Sequence, residues 1–241
     1  MPDSARAMIL AAGFGTRLRP ITHEIPKPMV TVGPDPLIVR TIRQLGRAGI
    51  REVVVNLHHL GHRIREALGD GSELGVHLIY SEEGEILGSG GGIKLAEPHL
   101  TQGTFIVVNG DVLMDVDYAA VLAFHRQKDA LATMVLRPDP DPDEWGAIEI
   151  DAEQRIRQFV HKLPPVDVPL RKLMFTGVHV LEPAVFDYLP TTFSSINDVF
   201  YPRAISEGRA IYGYVHEGYW SDVGTLERLE EARRDAEAGR I

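Results

Sequence analysis

Near the start of the chain, Leu10–Thr22 reads LAAGFGTRLRPIT and opens on the end of the apolar run Met8–Ala12. A glycine-rich turn after a buried strand suits an anionic ligand. With no Cβ in the way, backbone N–H groups approach phosphate oxygens closely. Gly13 and Gly15 meet that need, Leu10, Ala11, Ala12 and Thr16 complete the turn, and Arg17 adds a planar fork for bidentate phosphate contact. The dinucleotide-binding pattern needs a third glycine where Leu18 stands, and the Walker pattern needs a lysine that is missing, so neither applies. A few residues on, Pro26 and Pro28 stiffen the backbone around Lys27. A lysine held this way could stabilise charge at a fixed phosphorus, and it could equally be an exposed lysine in a turn.

Two carboxylates are candidates for a hard metal ion. Asn109-Gly110-Asp111 closes the apolar run Thr104–Val108; it reads equally as a metal-binding strand end or as ordinary turn chemistry. Asp222 lies in Tyr219–Thr225 (YWSDVGT) ahead of the last helical pattern, as a metal ligand or a helix cap. Leu87–Gly92 (LGSGGG) exposes backbone donors and acceptors at Gly88, Ser89, Gly90 and Gly91 ahead of a short helix at Ile93–Glu97. His58 and His62 have i, i+4 spacing but no third ligand, so the ten histidines read as ordinary surface residues. Trp145 and Trp220 read as packing residues.

The elements that must carry these groups alternate. Strands are expected at Met8–Ala12, Val53–Asn56, Val76–Tyr80, Thr104–Val108 and Leu131–Leu136, with helices at Pro36–Ala48, Arg63–Leu68 and Tyr118–Gln127 between them. That order predicts an α/β fold with a mainly parallel sheet between helices. The last third adds strands at Ala147–Ile150, Ile156–Val160 and Met174–Val180 and helices at Pro183–Tyr188, Asp198–Glu207 and Leu226–Ala238. The charge run on the final helix reads as a solvated face.

Composition limits the rest. The chain has 241 residues, 25 Lys and Arg against 34 Asp and Glu, a net charge of −9 and no cysteine. An acidic chain lacks the basic surface of a nucleic-acid binder, although a few cations in one cleft can still hold a polyanion. Without cysteine there are no disulfides, thiolate nucleophiles or zinc-thiolate sites, which fits a reducing, cytoplasmic location. No apolar run is long enough to span a membrane, and no linker divides the chain, so one domain over 1–241 is expected.

Leu10–Thr22 followed by Pro26-Lys27-Pro28 resembles the opening of the sugar-1-phosphate nucleotidyltransferases, whose pattern is roughly G-x-G-T-R-L-x-P-x-T and then P-K-P. The resemblance implies a Rossmann-like mixed sheet, with a nucleotide-binding part over about 1–135 and a sugar-binding part over about 136–241. It implies an enzyme acting on a nucleoside triphosphate and a sugar 1-phosphate with Mg²⁺, as a monomer or homodimer. Carried onto this chain, Arg17, Lys27 and Asp111 are catalytic, and Asp111 and Asp222 are metal ligands. The nucleotide falls to Leu10–Gly13, Gly15, Thr16, Arg17, Gly88–Gly91 and Asn109, and the sugar phosphate to Gly146, His161, Lys162, Thr176 and Gly177. Departures occur where Ser89 stands for Thr, His161 for Glu, Leu163 for Pro and Phe175 for Asn. The F-T-G turn and W-S-D-V-G-T-L-E-R-L resemble N-acetylmuramate-1-phosphate uridylyltransferases and mannose- or heptose-1-phosphate guanylyltransferases. An inactive NDP-sugar-binding regulatory subunit is the alternative; such a chain should have lost Lys27, Asp111 or Asp222, and all three remain.

Overall fold

The computed structural model describes residues 5–160 and 162–241, so the expectation on His161 lies outside the described residues. The strands are β1 (Arg6–Leu10), β2 (Thr31–Val32), β3 (Asp35–Pro36), β4 (Glu52–Leu57), β5 (His77–Glu82), β6 (Phe105–Asn109), β7 (Val112–Met114), β8 (Ala132–Arg137), β9 (Ile148–Ile150), β10 (Ile156–Phe159), β11 (Arg171–Leu181), β12 (Ile211–Val215) and β13 (Trp220–Asp222). The α-helices are α1 (Leu37–Arg47), α2 (Gly61–Leu68), α3 (Gly88–Leu95), α4 (Glu97–Leu100), α5 (Tyr118–Gln127), α6 (Ile196–Val199), α7 (Tyr201–Ser206) and α8 (Leu226–Glu237).

Strands β6, β1, β4 and β5 lie side by side and parallel. The near-continuous apolar runs of β6, β1 and β4 are what a sheet covered on both faces requires. The long strand β11 runs antiparallel to β6, β8 and β9, and β12 pairs parallel with β8. The result is a mixed, mostly parallel α/β sheet: the alternating pattern implies its parallel part and the family resemblance its mixed character. One buried cluster gathers the α1, α2 and α5 side of the sheet; another gathers the side covered by α3, α4, α6 and α7. A third, smaller cluster joins Leu18 and Val30 to Leu113, Val223, Leu229 and Ala232. It packs the tail of the glycine loop against β7, β13 and α8. No described helix is long and apolar enough to cross a membrane.

Several elements differ from expectation, each for a physical reason. Strands β7, β12 and β13 had no clean alternation to announce them. The helix expected at Asp198–Glu207 is two short ones, because Pro202 has no N–H to continue the ladder at the junction. Pro183–Asp187 is a 3₁₀ turn. The helix expected at Ile93 begins at Gly88 and includes the glycines. There they permit close packing: a Cβ on Gly91 would lie 2.5 Å from the Thr192 carbonyl oxygen, and one on Gly90 2.5 Å from Ser194 Oγ. Alanine is ordinarily the better helix residue by about 1 kcal/mol. Here the sign inverts, and Gly91→Ala is expected to lower stability by about 1–3 kcal/mol in urea unfolding. A stabilised variant would show that the 192–194 segment moves aside freely.

Candidate active site

Between β5 and β6 the chain crosses from one side of β1 to the other, so the carboxyl end of β1 is a topological switch point, where open α/β sheets form their ligand crevice. A cleft of about 340 Å³ opens there. Its walls carry Leu10, Ala11, Ala12, Gly13, Gly15, Thr16, Arg17, Lys27, Gly88, Ser89, Asn109 and Asp111, all singled out from the sequence. Gly90 and Gly91 are not on the wall, since they pack against residues 192–194.

The loop is shaped by close approach. Gly13 faces open space, whereas Gly15 has φ +60° and sits where a Cβ would lie 2.8 Å from Thr22. Thr22 Oγ1 donates to the Gly15 carbonyl at 2.8 Å. The glycine of Asn109-Gly110-Asp111 serves an approach as well: its N–H bonds the Leu10 carbonyl, and a Cβ would lie 2.6 Å from that oxygen.

Sequence reasoning missed two polar wall residues, Asn56 and Glu83, which are 3% and 5% exposed. Asn56 Oδ1 accepts from the Ala11 N–H at 2.7 Å, and its Nδ2 donates to Glu83 Oε1 at 2.6 Å. Glu83 Oε2 accepts from the Leu87 N–H at 2.8 Å. This buried relay ties the glycine loop to the start of α3. A polar residue ending the apolar run Val53–Asn56 was the available signal.

Asp111 and Asp222 are distant in sequence and are joined by the β7–β13 ladder, which the Val223 N–H extends to the Asp111 carbonyl. Asp222 therefore belongs to a strand, and Thr225 is the residue that caps α8. Lys27 lies between the two acids: its Nζ is 2.5 Å from Asp111 Oδ2 and 4.0 Å from Asp222 Oδ1. Asp222 Oδ2 faces Arg17 at 3.9 Å and Arg228 at 3.4 Å. Arg228 also lies over the Trp145 ring, 4.5 Å from its centroid, so α8 is not merely a solvated face. Burial, and next the Asp111 carboxylate, push the Asp222 carboxyl above its ordinary range against the pull of Lys27, Arg17 and Arg228. Asp222 Oδ1 is buried without a hydrogen-bond partner. Among the described residues no group of three or more His, Asp or Glu side chains is arranged as a cage for a metal. Two carboxylates with one unpartnered oxygen instead fit a hard divalent cation completed by phosphate oxygens.

Of the residues expected to hold the sugar phosphate, the described ones, Gly146, Lys162, Thr176 and Gly177, do not line the cleft. Gly177, at φ +94°, backs onto Asn109, where a Cβ would lie 2.9 Å from Nδ2. Thr176 Oγ1 donates to the Val135 carbonyl, and Trp220 Nε1 donates to the Thr176 carbonyl. Trp145 and Trp220 meet edge to face at 5.4 Å, packing residues as expected. Gly146, at φ +79°, packs near Val160. Lys162 Nζ donates to Asp198. His58 and His59 precede α2, so they share no helix face with His62; both ring nitrogens in contact bond backbone carbonyls, of Glu83 and Thr22.

Phe175, where the family pattern has Asn, is half-buried and packs against a buried aromatic pair. Its ring lies 4.4 Å from that of His179, which in turn stacks on Tyr201 and bonds its hydroxyl through Nδ1 at 2.6 Å. Burial pushes His179 down from 6.5 to about 3. A histidine with a depressed folded pKa contributes stability above its unfolded value and loses it as pH falls. Denaturant unfolding is therefore expected to show a loss of about 1.4 kcal/mol per pH unit below about 6.5 that His179→Gln lacks. Parallel pH profiles for the two proteins would count against a buried neutral imidazole.

The fold and cleft define an α/β protein with a glycine-lined cleft at its switch point, bordered by two acids and a buried lysine. The chain belongs to the nucleotidyl transferase family, matching it over residues 6–239. It is 37% identical to the N-acetylmuramate alpha-1-phosphate uridylyltransferase of Neisseria meningitidis serogroup B over 95% of this chain and 96% of that protein. It is 34% identical to the UTP–glucose-1-phosphate uridylyltransferase of Synechocystis sp. over 95% of its own length, but spans 62% of the length of that relative. Its fold is similar to the crystal structure of HddC from Yersinia pseudotuberculosis, with a TM-score of 0.80 and 25% identity over 96% of this chain and 99% of that one.

Proposed function

We propose that the chain is a Mg²⁺-dependent sugar-1-phosphate nucleotidyltransferase, converting a nucleoside triphosphate and a sugar 1-phosphate into an NDP-sugar and pyrophosphate. UTP or GTP, with a hexose, amino-sugar or heptose 1-phosphate, is the substrate range. The observation that carries this reading is Lys27 held between Asp111 and Asp222 beside Arg17, at the mouth of the glycine cleft.

A phosphate oxygen of the sugar 1-phosphate attacks the α-phosphorus and pyrophosphate leaves opposite, so positioning and charge neutralisation carry the rate. No general base is needed, because a phosphate dianion is already a nucleophile. Arg17 and the Gly13–Thr16 backbone hold the leaving pyrophosphate. Lys27 stabilises charge at the α-phosphate, Lys162 orients the incoming phosphate, and Gly88 and Ser89 border the nucleoside. Asp111 and Asp222 are the residues that would hold Mg²⁺, which when bound supplies neutralisation of phosphate charge.

The test is pyrophosphate release across a panel of nucleoside triphosphates and sugar 1-phosphates with Mg²⁺. Turnover with one pair names the substrates; no turnover with any pair overturns the reading.

A further inference from the structure

Lys162 lies just past β10, in the proline-rich connection to β11, and its side chain is 39% exposed. A free lysine stem samples many rotamers, so an ammonium that must meet a phosphate at one place gains from a partner that directs it. That partner is Asp198, whose Oδ1 accepts from Lys162 Nζ. An exposed pair of this kind contributes little to the fold, so stability is a weak reason for it.

The place of Asp198 gives a stronger reason. It sits on α6, two residues after Ile196, whose N–H bonds Ser89 Oγ on the cleft wall at 3.1 Å. The strap leading into α6 is bonded to the residues on either side of Gly88 and Ser89: the Ser194 N–H reaches the Leu87 carbonyl at 2.9 Å, and the Gly90 N–H reaches the Ser194 carbonyl at 2.8 Å. An unbroken set of bonds and two residues of chain thus runs from the cleft wall to the ammonium. The hydrogen bond from Lys162 is also the main cause that holds the Asp198 carboxyl below its ordinary range. Lysine has three N–H donors, so those not spent on Asp198 remain available for a phosphate.

We propose that Asp198 is a positioning residue for the sugar-phosphate site, holding Lys162 in register with the Ser89 wall so that its free donors meet the phosphate of the sugar 1-phosphate. This rests on the nucleotidyl-transfer reading above.

The experiment is a double-mutant cycle with Asp198→Ala, Lys162→Ala and the pair. Binding of a panel of hexose, amino-sugar and heptose 1-phosphates is measured by calorimetry with a non-hydrolysable triphosphate and Mg²⁺, and turnover is measured alongside. Asp198→Ala is expected to weaken sugar 1-phosphate binding about five- to tenfold, the cost of re-ordering one long side chain. Triphosphate affinity and Tm should move little, Asp198→Asn should restore part of the loss because its amide oxygen still accepts, and Asp198→Ala should add nothing once Lys162 is alanine. Unchanged or tighter binding overturns the proposal, as does an equal effect in the Lys162→Ala background. Turnover with an additive cycle removes the positioning role and leaves the enzyme; a coupled cycle without turnover supports the positioning role and removes the reaction. A wild-type chain that binds no member of that panel overturns both.

Discussion

Asp111→Asn is expected to lower kcat by roughly a thousandfold or more, about 4 kcal/mol of transition-state stabilisation, with the fold intact. The amide keeps the size of the carboxylate and an oxygen that can accept from Lys27 Nζ, which lies 2.5 Å from Asp111 Oδ2. What it loses is the negative charge, and hence the strong oxygen ligand for a hard cation among phosphates. Asp222→Asn is the companion experiment. Burial and the neighbouring Asp111 raise the Asp222 pKa, so its ionised form is disfavoured in the folded chain relative to the unfolded one. Removing that charge is expected to leave the Tm of the ligand-free protein at or above wild type while turnover is lost. Retained turnover in Asp111→Asn takes it out of the metal site, and a large fall in Tm for Asp222→Asn refutes the account of its buried charge.

What could be read from the sequence was chemistry imposed by the local backbone. The glycine turn, the prolines around Lys27 and the apolar strands all name themselves, because φ > 0, a missing N–H or two-sided burial restricts which residue types fit. Groups whose meaning comes from distant partners were silent or ambiguous. Asp222 could equally have been a cap until the β7–β13 ladder set it beside Asp111. Asn56 and Glu83 are 27 residues apart, with no spacing rule to join them, yet they form one buried relay. Gly90 and Gly91 looked like exposed backbone; the 192–194 segment that they accommodate lies a hundred residues on. Arg228 was indistinguishable from its charged neighbours on α8 until Trp145 and Asp222 were placed against it.

Lys27→Met is expected to damage the protein twice. The Lys27 side chain is 11% exposed and lies between carboxylates that are 31% and 14% exposed. Removing it leaves Asp111 without that partner, and leaves Asp222 to Arg17 and Arg228 at 3.9 and 3.4 Å. Breaking a buried ion pair from one side costs about 3–5 kcal/mol, and the part-exposure of Asp111 places the expected loss near the lower end, about 3 kcal/mol. The catalytic loss is separate: a preorganised cation aimed at developing charge contributes on the order of a hundred- to a thousandfold, and methionine supplies none of it. A divalent cation distinguishes the two effects. In the variant no ammonium competes for the carboxylates, so added Mg²⁺ should raise Tm more than it does in wild type, by mass action on the folded state alone, while turnover stays low. If Mg²⁺ moves neither Tm, the acids are not a metal site. If Mg²⁺ restores turnover as well, Lys27 only neutralises the two acids and does not act on the phosphate.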